Sequence, residues 1–364
     1  MSFPRLTIHV GGLRSFYMLA KNMGPGISVV REEYIKHKTE YDNGLLPIPF
    51  EIDLRGLKPG FISTATLTAL LSVCYNLRKT FGQPIPAWLD WNPEVQRFLA
   101  SLRFFQLANS LKIFKWLPGE EIIGGYTVSK IQESSTIVVF TNSMNYDDIK
   151  DRYAEVRRQL WDQIAPRLAF NIQDLVSNLR EESAGIITNA TLELIINGLI
   201  HGESETFVGI QRRSRTRLTV TVCDSGIGFP LSLAKTTNDI LLSRKENLEG
   251  ILYGCLATDS FESGLTRAIE SVLNYKESYN QNYENEGYVV VSSFDAEVRW
   301  QKYNWERAKQ ITLEPSNNLQ LKNNLAKIKR LRFDQSEGHE TGYFLKYADN
   351  VSIKGTRITF EIGI

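Results

Sequence analysis

The sequence predicts a mixed α/β protein built as two units, and three observations carry that prediction. Strand and helix patterns alternate between residues 45 and 117, the order that packs helices on a sheet. A long helical section from about Tyr146 to His201 is followed by two runs of period two, TFVGIQ and RLTVTVC, around the polar turn RRSRT, the pattern of an antiparallel hairpin. The length of 364 residues exceeds one domain at about 150 residues each.

The elements follow in order. Leu6 to Val10 reads as a strand, and REEYIKHKTEYDNG as a solvated helix ending at Asn43-Gly44, with His37 in its charged face. IPFEIDL alternates like a strand, KPG is a turn, and STATLTALLSVCYNLRKTFG carries Leu67, Leu70, Leu71 and Leu77 at helical spacing. PIPAWLDW reads as a short strand, NPEVQRFLASLRFF as a helix opened by Asn92-Pro93, and LKIFKWL as another strand. The stretch PGEEIIGGY and the strand TIVVFTN then separate this α/β unit from the helical section. These shifts give residues 1–118 as a first domain with an N-terminal extension, 119–150 as a connector and 151–364 as a second domain. Within the second, SYNQNYENEG is polar, GYVVVSS and TRITFEI are strands, and about 300–350 is an unassigned insertion.

Composition excludes several classes. Hydrophobic residues make up 42% and charged residues 23%, and 42 Lys+Arg against 41 Asp+Glu leave a net charge of +1, so the chain is neither compositionally disordered nor a strongly basic nucleic-acid binder. Cys74, Cys223 and Cys255 lie far apart without CxxC spacing, which argues against a zinc site or disulfide framework and fits a reducing cytoplasm. No signal-peptide pattern opens the chain and no stretch approaches about 18 consecutive apolar residues, so neither export nor membrane association is expected. Basic clusters at Arg212, Arg213, Arg215, Arg217 and at Lys322, Lys327, Lys329, Arg330, Arg332 read as solvated surface, with nucleic-acid binding as an unsupported alternative.

One constellation carries chemistry. In the helix ending at His201, Leu192, Ile195, Ile196 and Leu199 form an apolar stripe, while Asn189, Glu193, Asn197 and His201 recur every four residues on another face. The strand RLTVTVC then delivers Asp224 onto the turn Asp224-Ser225-Gly226-Ile227-Gly228, where glycines let backbone approach a ligand. Ser263-Gly264-Leu265 and Gly355-Thr356 follow. This order of motifs resembles the GHKL family of ATP-binding domains, which includes histidine kinases, anti-sigma-factor serine kinases, gyrase B, MutL and a heat-shock chaperone. It covers roughly residues 150 to 300 and the last ten or so, and NGLIHG and DSGIGF look most like the anti-sigma-factor kinases.

The resemblance implies an α/β sandwich with helices on one face of a mixed, mainly antiparallel sheet, binding ATP or ADP with Mg²⁺. By position it implies that Asn197 coordinates Mg²⁺ through its amide oxygen, and that Glu193 is the catalytic base that orients or deprotonates the attacking group. It implies that Asp224 accepts from the adenine amine with Thr356 in support, that Gly226 and Gly228 pack under base and ribose, and that Ser263, Gly264 and Leu265 meet the phosphates. Relatives carry a second glycine where Thr266 stands, and a Cβ there is expected to restrict the approach of phosphate. The lid between about Pro230 and Glu262 is glycine-poor. His9, His37, His201 and His339 lie in no phosphoacceptor-like box, which argues against a histidine kinase.

Residues 45 to 110 or so, from FEIDLRGLKPGFISTATLTALLSVCYNL through PAWLDWNPEVQRFLASLRFF, are similar to the STAS domain of anti-sigma-factor antagonists. The match is a strand ending in Asp53, the turn Phe61 to Thr66, and a helix. Ala65 and Thr66 occupy the places where phosphorylatable relatives carry Ser-Gly, and Ser63 or Thr64 reads as a helix cap. Together the resemblances imply a regulatory protein that uses Mg·ATP to switch interactions or to phosphorylate a partner Ser/Thr. They imply a protein partner of STAS or sigma-regulatory type and a homodimer. A catalytically silent, nucleotide-gated interaction module is the alternative; a nucleic-acid-associated ATPase in stress or phage defence is a third, resting on the basic clusters.

Overall fold

Mixed α/β architecture, with one parallel and one antiparallel sheet, is what the computed structural model shows. It describes residues 5–11, 15–58, 62–89, 92–117, 135–176, 181–214, 217–237, 246–256, 264–275, 287–311, 318–331, 344–347 and 351–363. Two compact units divide the chain: Met1–Val139 with Tyr347–Ile353, and Phe140–Lys346 with Lys354–Ile364.

The first unit runs β1 (Leu6–His9), α1 (Phe16–Lys36), α2 (Lys38–Asp42), β2 (Phe50–Asp53), α3 (Thr64–Phe81), β3 (Ile85–Trp88), α4 (Pro93–Ser101), α5 (Phe104–Ser110) and β4 (Phe114–Leu117). The four strands are parallel in the order β1-β2-β3-β4. Because side chains alternate across a strand, Ile8, Phe50, Ile52, Ile85, Ala87, Phe114 and Trp116 share one face, and all are buried. The helix starts are capped as their residues dictate: the Ser63 hydroxyl accepts from Thr66 N at 3.1 Å, and Asn92 Oδ1 accepts from Glu94 N at 2.9 Å. The first helix is longer than its charged run announces. It starts at Phe16 and passes through Pro25, which removes a helical hydrogen bond, because Leu19, Met23, Ile27 and Val30 bury a continuous face. Gly26 is bare where β1 packs, since a Cβ would lie 2.9 Å from Ile8 Cγ1.

The second unit contains α6 (Tyr146–Ile149), α7 (Tyr153–Leu175), α8 (Glu181–Ile200), β6 (Thr206–Ser214), β7 (Arg217–Asp224), α9 (Phe229–Thr237), α10 (Asn247–Leu256) and α11 (Gly264–Leu273). It continues with β8 (Tyr288–Phe294), β9 (Ala296–Gln301), α12 (Lys302–Lys309), α13 (Asn318–Arg330), β10 (Phe344–Lys346) and β11 (Ile353–Gly363). With β5 (Ser135–Phe140), inside which the division between units falls, the seven strands are ordered β10-β9-β8-β11-β7-β6-β5. The pairs β10·β9, β9·β8, β11·β7 and β7·β6 are antiparallel. Helix α8 packs against α7, α11, β6 and β7, so it is apolar nearly all round; Ile187, Leu192, Ile195, Ile196, Leu199 and Ile200 are fully buried. Part of the insertion left unassigned from sequence is structured. β9 pairs with β8 and turns Val298 and Trp300 inward, Trp300 meets Trp305 of α12 edge to face at 5.1 Å, and α13 buries Leu321, Leu325 and Ile328 while Lys322, Lys327 and Arg330 stay exposed.

Candidate functional site

The site is built around the end of β7. That strand pairs with β6 and β11 on its two sides, Asp224 standing opposite Thr206 and Cys223 opposite Arg357, which carries the Asp224 carboxylate into the interior. Its Oδ1 accepts from Gly226 N at 2.8 Å and from Thr356 N at 3.1 Å, which leaves Oδ2 with acceptor capacity to spare. Burial holds the carboxyl above its ordinary range, at about 6, against the pull of those two N–H groups and of Arg357 and Lys354. Three glycines make the crowding possible. A Cβ on Gly226 would overlap the Gly202 carbonyl, and one on Gly355, at φ +104°, would overlap the Asp224 carbonyl. On Gly202 it would stand 3.1 Å from the carboxyl carbon of Asp224.

Asp224 lines a cavity of about 460 Å³ within the second unit. Asn197, Gly228, Gly264, Leu265 and Thr356 line it as well, so six of the nine residues singled out from sequence converge on one volume. Its apolar wall includes Leu194, Val222, Tyr253 and Ile358, together with one face of α9: Phe229, Ser232, Leu233 and Thr236, at the i, i+3, i+4, i+7 spacing of a helix side. Helix α10 presses close on α9 because Gly250 and Gly254 are bare; a Cβ on Gly250 would lie 2.9 Å from Pro230 Cγ, and one on Gly254 2.6 Å from the Phe229 ring. On its far side α9 is tied down by Lys235, whose Nζ donates to Glu203 at 2.6 Å. Such a concave, mainly apolar volume with a few convergent polar groups is the usual form of a small-molecule site.

No family model, curated protein or solved structure matches this chain.

The remaining three sequence-derived residues stand elsewhere. Gly226 shapes the turn behind the wall, and Ser263 lies outside the described residues. Glu193 is absent from the lining: Arg157 Nη2 donates to its Oε1 at 2.6 Å and also to Oε2, and its carboxylate rests on the Cα of Gly264, where a Cβ would overlap it. Thr356 supports Asp224 through its backbone N–H. Thr266 differs from expectation: its hydroxyl donates to the Cys255 carbonyl on α10 at 2.8 Å, so its side chain belongs to the α10–α11 packing and not to the cavity wall.

Helix α7 supplies what the sequence reading missed. Tyr153 and Arg157, one turn apart, line the cavity beside His201, and their spacing next to the buried stripe Val156, Leu160, Ile164 was the available signal. Tyr153 Oη lies 3.1 Å from His201 Nε2, while Nδ1 is buried without a hydrogen-bond partner among the described residues. Desolvation, and then the charge of Arg157, lower the His201 pKa to about 4, so the ring is neutral at pH 7. Arg157 is the one lysine or arginine in the lining, among the described residues.

Asp224 offers an acceptor at an apolar pocket end, and the bare backbone of Gly264 opens α11 at the wall, where N–H groups can meet an anion. Among the described residues no group of three or more His, Cys, Asp and Glu could hold a metal ion, and Asn197 brings an amide oxygen, a hard donor, to the lining. That suits Mg²⁺, which keeps most of its water and bridges phosphates. Among the described residues no helix is long and apolar enough to cross a membrane.

Proposed function

We propose that the second unit binds Mg·ATP in the manner of the GHKL class, and that the first is a STAS-like module whose protein interactions the nucleotide switches in a cytoplasmic homodimer. The observation that carries the reading is Asp224: a carboxylate kept at the floor of an apolar cavity, raised in pKa by burial, fastened at one oxygen by two backbone N–H groups. Such an ion is costly to keep, and an exocyclic amine presented to Oδ2 is the partner that repays it. Asn197 would take the metal and the N-terminus of α11 the phosphates. Bound Mg·ATP would supply a transferable phosphoryl group for a partner hydroxyl or water.

Asp224→Asn tests the base. The amide oxygen keeps the bonds from Gly226 N and Thr356 N, which turns the NH₂ toward the cavity and exchanges an acceptor for a donor. ATP affinity should fall by about 10-fold or more while ITP, which presents a carbonyl in place of the amine, should bind the variant better than the parent. Equal ATP affinity of parent and variant by titration calorimetry would remove the adenine assignment.

A second reading, gated binding without turnover, is favoured by the hold of Arg157 on Glu193. Incubation with Mg²⁺ and γ-labelled ATP, beside Glu193→Ala, separates the two. Label in free phosphate or in protein that disappears in the variant establishes an ATPase or kinase; no label from nucleotide-bound protein establishes the gated module.

A further inference from the structure

The ion pair between α7 and α8 supports an inference that rests on the nucleotide reading and deepens it. Arg157 both lines the cavity and donates to the two oxygens of Glu193, whose carboxylate is packed on Gly264. The side chains are 17% and 12% exposed, so parting the two charges is costly unless each gains another partner or water. Among the described residues, the lining groups that carry a full charge are this guanidinium and, of opposite sign, the Asp224 carboxylate. A phosphate entering beside Gly264 therefore meets one cation, already engaged. Phosphate matches the guanidinium fork as well as a carboxylate does and carries more charge.

We propose that Arg157 is a positioning residue shared between Glu193 and the terminal phosphate of ATP: binding of that phosphate draws the guanidinium off Glu193 and frees the carboxylate to turn toward the cavity. Glu193 thereby competes with ATP until ATP is in place. ADP, one phosphate shorter, leaves the pair intact. The consequence is a discrimination between ATP and ADP set by two side chains, neither of which touches the base.

The test uses the full chain and titration calorimetry with Mg·ATP and with Mg·ADP. Glu193→Gln, which cannot hold the guanidinium as an ion pair, should tighten ATP by about 10-fold and ADP by less than about twofold. Arg157→Met should abolish any preference for ATP over ADP, and Arg157→Lys should restore part of it, a recovery that a merely structural role would not produce. If the parent binds both nucleotides and the ATP-to-ADP ratio is unmoved in Glu193→Gln or in Arg157→Met, the shared-cation step is overturned while the nucleotide reading stands. If the parent binds neither nucleotide, the reading falls and the inference with it.

Discussion

In each unit an aspartate closes a strand, and the two aspartates have opposite fates. Asp53 closes β2 in FEIDLRG and is clasped by Arg55, whose Nε and Nη2 donate to its two oxygens at 2.9 Å each, with His9 Nδ1 3.0 Å away. The Arg55 side chain, then, lowers its pKa, with the Arg55 backbone N–H, its charge and His9 adding to the pull, to about 2. Asp224 closes β7 in TVCDSGIG, receives only backbone N–H groups as hydrogen-bond donors among the described residues, and is raised to about 6 by burial. A strand-end carboxylate that the chain satisfies with its own arginine is finished as a structural element. One that the chain buries against backbone N–H groups keeps acceptor capacity open on its second oxygen.

The largest expected effect sharpens this contrast by stability. A folded-state carboxyl raised from 3.8 to about 6 makes the native protein the tighter proton binder, so its penalty is absent below about pH 4, grows as pH rises and is complete above about 6, on the order of 3 kcal/mol. Asp224→Asn keeps the two backbone bonds and removes the charge. It should raise the thermal midpoint by several degrees at pH 7.5, with the gain shrinking to nothing near pH 4, while weakening nucleotide binding. Calorimetric scans across that range check it; a loss of stability at pH 7.5 would mean that the charge is compensated in the fold after all.

A second comparison uses the glycines that follow the two aspartates. Gly226 lies against a backbone that cannot retreat, because Gly202 N is bonded to Asn197 O at 2.9 Å and Ile227 N to Gly202 O at 3.2 Å. Gly226→Ala should cost about 3 kcal/mol and disturb the cavity floor. A Cβ on Gly56 meets nothing closer than the Gly11 Cα at 3.6 Å, so Gly56→Ala should lie between neutral and a gain of about 1 kcal/mol from the unfolded chain's lost freedom. Urea midpoints of the two variants give the contrast directly; similar losses for both would erase it.

How much of this was legible follows from where the signal lies. Alternation and caps announced every strand of the first unit, and Asn197, Asp224, Gly228, Gly264, Leu265 and Thr356 were readable because each sits in a short motif at a strand or helix end. The start of α1 was not, since Gly24-Pro25-Gly26 reads as a break; burial of Leu19, Met23, Ile27 and Val30 carries the helix through it, and the close approach of Ile8 accounts for Gly26. Arg157 and Tyr153 were hidden for another reason. Their helix joins the site through tertiary packing on α8; spacing beside the buried stripe puts Arg157 nearer the interior than the exposed Arg158 but does not name Glu193 as its partner. The same holds for Thr266, whose hydroxyl is committed to a carbonyl eleven residues earlier in the chain.

The smallest effect belongs to Asp53, and its sign is opposite to that of Asp224. A carboxyl lowered to about 2 contributes stability that is present above the unfolded value of 3.8 and is lost as pH falls toward 2. Arg55 is 52% exposed, and stacks over Trp88 at 5.0 Å, so solvent screening holds the contribution of the pair to about 1 kcal/mol or less. Arg55→Gln should therefore lower the urea midpoint slightly at pH 7 and not at all near pH 2, where the partner carboxyl is already protonated in much of the population. The two aspartates occupy separate windows: titrating from 6 to 4 relieves Asp224 with Asp53 still ionised, and titrating from 4 to 2 weakens Asp53 with Asp224 already neutral. A difference scan of Arg55→Gln against the parent that changed between pH 6 and 4 would show that the two carboxylates do not titrate independently, and would break the separation on which the comparison depends.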